Sequence, residues 1–255
     1  MKFDATGMDH RQLNTRIRGG IDRGETQFDI ANVIGQRYVA AGVTNPISIT
    51  IDGVPGNDLG AFMDGPRIRV NGNGQDGVGN TMNSGLIVID GDARDLTGHS
   101  MRGGRIYVRG DVGYRVGIHM KSYERLFPVI VVGGRAGDFT GEYMAGGVIV
   151  ILNLRASAEQ PVVYLAGLRH GRRQHVLQLG DGQIAHAPNV EPYHSVPVAH
   201  LLRLHNALLV RWLRLTWPQP SYLWTRSTPR WPGQRTSRSS SRSGRARGSG
   251  RRRPS

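Results

Sequence analysis

The chain has no cysteine, which excludes a disulfide scaffold and any thiolate-held metal or iron–sulfur cluster. Nowhere do about 18 apolar residues run together, so no membrane-spanning helix is expected. Met1–Gly20 is charged throughout and lacks an apolar stretch, so it does not read as a signal peptide. These absences point to a cytoplasmic protein in a reducing compartment. Acidic charge is scarce as well, 19 Asp+Glu against 33 Lys+Arg, but the scarcity is local. Residues 1–154 hold 16 side chains of each sign, whereas residues 155–255 hold 17 arginines, no lysine and 3 acids. All four tryptophans, Trp212, Trp217, Trp224 and Trp231, also fall in that second stretch. The basic pI therefore describes the C-terminal part alone.

Glycine, by contrast, is abundant, at 36 residues, and it is periodic. The phrase Gly-x-x-Met recurs at Gly60-Met63, Gly79-Met82, Gly98-Met101, Gly117-Met120 and Gly141-Met144, at spacings of 19, 19, 19 and 24. Apolar triplets keep the same period: Ile49/Ile51, Ile68/Val70, Ile87/Ile89, Ile106/Val108, Ile130/Val132 and Ile149/Ile151. Corner glycines follow them at Gly53, Gly56, Gly72, Gly91, Gly110, Gly113, Gly134 and Gly137, with Gln75 and Arg94 replacing the middle glycine in two coils. Such a period means one supersecondary unit stacked on itself. Nineteen residues are too few for a strand plus a full helix, so the expected fold is all-β: a parallel β-helix of about six or seven coils. Its apolar residues and methionines should fill the bore, with the five extra residues between Met120 and Ile130 forming a loop.

Leu13, Ile17 and Ile21 recur every four residues and predict a short amphipathic helix, followed by one or two strands from Thr26 to Val39. Residues 1–45 thus read as a cap on the open end of the stack, and residues 46–165 as the β-helix. Residues 166–255, rich in Arg, Ser, Pro and Gly, read as a disordered basic tail. Arg169–His175, back-translated and re-read one base later, yields Gly-Met-x-Gly-Gly-Asn-Met, the form of Met144-Ala-Gly-Gly. A slip of reading frame between Leu154 and Leu168 is expected on that ground. The competing reading of the tail is nucleic-acid binding by phosphate neutralisation and base stacking.

No catalytic, cofactor-binding or metal-ligating set emerges. Gly72-x-Gly-x-x-Gly77 spells a dinucleotide fingerprint, but the period expects a strand after it where a helix is required. Asn57, Asp76, Asp95 and Asp138 share one repeat position and could suggest calcium, though Asx residues are ordinary turn formers. His99 and His119 lie one coil apart without a third ligand, and Ser84 and Ser100 lack an evident histidine partner.

Three strings carry a resemblance: Gly133–Gly147, Gln75–Asn83 and Gly110–Met120, together with Asp64-Gly65-Pro66. They resemble the GXGXG domain of the glutamate synthase large subunit, in the stand-alone form found in archaeal-type glutamate synthases and N-methylglutamate synthases. The third subunit of formylmethanofuran dehydrogenase is similar. The resemblance covers about residues 8–165. It implies a right-handed β-helix without catalytic residues of its own. It also implies partners: a class II glutamine amidotransferase subunit and a subunit carrying FMN and an iron–sulfur cluster. The alternative implied is a scaffold in a formylmethanofuran dehydrogenase or formyltransferase complex.

Overall fold

The computed structural model describes residues 1–153 and the backbone of two further strands, 175–180 and 183–186. The chain divides into two units, Met1–His194 and Ser195–Ser255, and every described residue lies in the first. Its elements are β1 (Lys2–Asp4), α1 (His10–Asp22), β2 (Gln27–Ile34), β3 (Ser48–Val54), β4 (Asp64–Asn71), β5 (Ser84–Ile89), β6 (Arg105–Val108), β7 (Val129–Val132), β8 (Val148–Ile151), β9 (His175–Gly180) and β10 (Gln183–His186). They form one sheet in chain order, parallel from β1 to β9, with β10 antiparallel to β9. Each strand lies on the one before it, which is the β-helix that the period predicts.

Register follows the apolar triplets. Phe28 pairs with Ile49, and the row continues through Ile68, Ile87, Ile106, Ile130 and Ile149. These isoleucines and Met63, Met82, Met101, Met120 and Met144 are all buried to within about one per cent of complete. Isoleucine suits the row because a β-branched side chain packs tightly on a pleated surface. The unbranched methionines fill the irregular space beneath the return turns.

The N-terminal segment forms more than a lid. α1 starts at Asp9, whose carboxylate accepts from the N–H groups of Arg11 and Gln12, while Gln12 Oε1 accepts from the Asp9 N–H. That reciprocal cap fixes the first turn. Leu13 and Ile17 are buried, and Gly20 lets the helix lie against the Phe28 ring, where a Cβ would come 2.6 Å from Cε1. β2, expected within the cap, pairs with β3 as a full coil, with a bulge at Asn32 (φ 58°) between Ile30 and Val33.

At the other end the sheet continues past residue 165, where the sequence analysis ended the β-helix and began a disordered tail. β9 pairs with β8, Ile149 opposite Val176, at 27 residues instead of 19 or 24. An unpaired edge presents a row of free N–H and C=O groups, and an extended segment such as 175–180 satisfies them. The expected frame slip between Leu154 and Leu168 lies outside the described residues, as does most of the basic tail.

Candidate functional site

The glycine columns have two different causes. At the corners, a Cβ on Gly91, Gly110 or Gly134 would collide with the side-chain oxygen of Asn73, Asp92 or Asp111 in the preceding coil. Those same oxygens accept the next coil's backbone: Asn73 Oδ1 from the Asp92 N–H at 2.9 Å, Asp92 Oδ1 from Asp111 at 2.8 Å, and Asp111 Oδ1 from Arg135 at 2.7 Å. A second ladder uses the column read above as possible calcium ligands. Asp76 Oδ1 accepts from the Asp95 N–H at 3.3 Å and Asp95 Oδ1 from Tyr114 at 2.9 Å. In Asp76 and Asp95 the carboxylate is thus taken up by the backbone of the next coil, whereas Asp138 Oδ1 is buried without a hydrogen-bond partner. Among the described residues no three side chains are grouped to hold a metal ion.

The return turns are built differently. In each, three alternate residues adopt the left-handed conformation: Tyr38, Ala40 and Gly42 in the first, where the centre is alanine, then with a central glycine Asp58, Gly60 and Phe62, Gly77, Gly79 and Thr81, Leu96, Gly98 and Ser100, Arg115, Gly117 and His119, and Phe139, Gly141 and Tyr143. The central glycine donates back to the preceding coil, as from Gly98 to the Val78 carbonyl at 2.8 Å. The outer residue donates forward, Ser100 to the Ile118 carbonyl at 2.8 Å. Alternating handedness thus turns the N–H groups of these left-handed residues toward opposite neighbours, and from the turn at Asp58 to the turn at His119 the stack satisfies them all. A Cβ at the central position would meet the δ-methyl of a bore isoleucine, Ile87 at 2.9 Å from Gly60, Ile106 and Ile149 at 2.5 Å from Gly79 and Gly117, and Ile130 closer still from Gly98.

The outer positions form a ledge across five coils, and here the two histidines meet. The His99 and His119 rings stand edge to face at 6.0 Å, and His119 stacks on Tyr143 at 5.1 Å and 9°. Asn80 Oδ1 lies 3.1 Å from His99 Nδ1, and Asn80 Nδ2 donates to Asp58 Oδ1 at 3.0 Å. Burial holds the His99 pKa below its ordinary value. His119 pushes it the same way, and Asp58 opposes them. Arg115 lies over the Phe139 ring at 5.1 Å. The sequence analysis singled out His99, His119 and Ser100 but missed Asn80, Asp58 and Tyr143. Their signal was a fixed offset of two residues, or one, from each periodic glycine.

Ser100, His99 and Asn80 stand in the order of a nucleophile, a base and an orienting group. Ser100 Oγ lies 3.5 Å from His99 Nε2, at the limit of a hydrogen bond. The nearest N–H groups are engaged, Ser100 with Ile118 and Met101 with Gly98. Those two N–H groups are therefore not free to stabilise an oxyanion beside Ser100. Gly72–Gly77 likewise follows β4 but leads through turns into β5, so its glycines belong to the corner and the return turn and no helix N-terminus lies there.

Two surface clefts lie off the ledge. One, of about 290 Å³, is lined by Met8–His10 and Ile34–Arg37. The other, of about 450 Å³, is lined by Asp111–Tyr114 and Arg135–Asp138 and contains the Asp111–Arg135 pair at 3.4 Å. Among the described residues no helix is long and apolar enough to cross a membrane.

Comparison with known proteins agrees with this architecture. An uncharacterized protein of Methanocaldococcus jannaschii is 52% identical over 155 residues, 60% of this chain and 59% of that one. The chain therefore spans about three-fifths of that relative's length. No solved structure matches. The GXGXG motif model matches residues 10–171, the stretch that begins with α1 and includes every coil from β2 to β8. With its glycines explained by ladder and bore, the chain belongs to the GXGXG motif family.

Proposed function

We propose that this chain is a non-catalytic scaffold subunit of a glutamate-synthase-like complex. It holds a class II glutamine amidotransferase subunit and a flavin subunit in fixed relation for glutamate or N-methylglutamate formation. FMN and the iron–sulfur cluster belong to the partner, since a chain without cysteine offers no thiolates for a cluster. One observation carries this reading. At least seven side chains capable of chemistry hold coil to coil: Asn73, Asp92, Asp111, Asp76 and Asp95 cap backbone N–H groups, Asn80 holds His99, and Arg69 pairs with Asp90 at 2.8 Å. What such a molecule offers a partner is shape.

The test is co-expression of the full chain with the amidotransferase and FMN-binding subunits encoded in its source genome. A stable ternary complex, with glutamine-dependent glutamate formation that needs this chain, is the expected result. Unchanged activity and no co-purification would sink the proposal.

A further inference from the structure

We draw no further inference here: the strongest candidate, the outward row Val88, Tyr107, Val131 and Val150 across β5–β8, is buried apart from the bore, and nothing among the described residues shows what covers it.

Discussion

Gly98 and Ser100 sit two residues apart in one turn with nearly the same backbone, φ 71° and 51°, yet only the first is a glycine. The contrast recurs at Gly60 and Phe62, Gly79 and Thr81, Gly117 and His119, and Gly141 and Tyr143. If positive φ alone demanded glycine, both positions would hold it. The difference is the neighbour: a Cβ on Gly98 meets Ile130 of the bore, whereas Ser100 faces outward and is half-buried. Crowding fixes the inner column, and the outer column is held in a disfavoured conformation by hydrogen bonds to the next coil. The family's glycine pattern is thus a record of where the bore is closed.

The largest effect should come from adding a methyl group to the inner column. Gly98→Ala combines a left-handed residue with overpacking against Ile130 and should cost about 2–5 kcal/mol in urea unfolding. Ser100→Gly, in the same turn, should change stability by less than about 1 kcal/mol, because relief of strain is offset by a floppier unfolded chain. Equal losses at the two sites would end the distinction. It sharpens further in a double-mutant cycle. Ile130→Val removes the methyl that a Cβ at residue 98 strikes, so in the Gly98→Ala background it should recover about 1 kcal/mol where alone it is destabilising. Strict additivity would mean that the clash is relieved elsewhere.

A smaller loss belongs to the corner ladder. Asp95→Ala leaves the Tyr114 N–H without its acceptor and should cost about 1 kcal/mol, as loss of a helix cap does. Chelators and added calcium should leave the parent's Tm unchanged, since this carboxylate is engaged by backbone. A calcium-dependent rise in Tm would restore the cation reading of the column.

The bore was legible in the sequence because it obeys one period. The Ile49 to Ile149 row and the methionines pack in the register their spacing requires. The corner column was half legible: Asp76 and Asp95 stood out as a column, but only geometry showed the Asp95 carboxylate occupying the place of Gly113's missing Cβ. The ledge was not legible. Left-handed turns announce themselves through glycine, asparagine or aspartate, and here only Asp58 and Gly77 do so, the other outer positions holding Phe, Leu, Arg, Thr, Ser, His and Tyr. The coil above imposes that conformation through hydrogen bonds that span 18 or 23 residues, which no local pattern reports. β9 was missed for a related reason. Its pairing follows from the open edge of β8 and not from the glycine–methionine phrase, which is missing before it in the text as written. Sequencing the gene across the codons for Leu154–Leu168 would show whether one base restores that phrase.

The smallest expected effect tests whether the ledge is desolvated. Burial, reinforced by His119, holds His99 below its ordinary pKa near 6.5. The unfolded chain then binds the proton more readily than the folded one, so stability is greatest above pH 6.5 and declines as the pH falls through the window just below it. Asp4 and Asp9 are lowered too, by hydrogen bonds from Thr6 and Gln12, and also destabilise as the pH falls, but only below about pH 4, so they do not interfere. Urea midpoints at about pH 7.5 and 5.5 should differ in the parent and converge in His99→Gln, which retains a polar group beside Asn80. Identical midpoints in the parent would mean that the outer column is as open to water as any surface turn, and that only the inner glycines record a constraint.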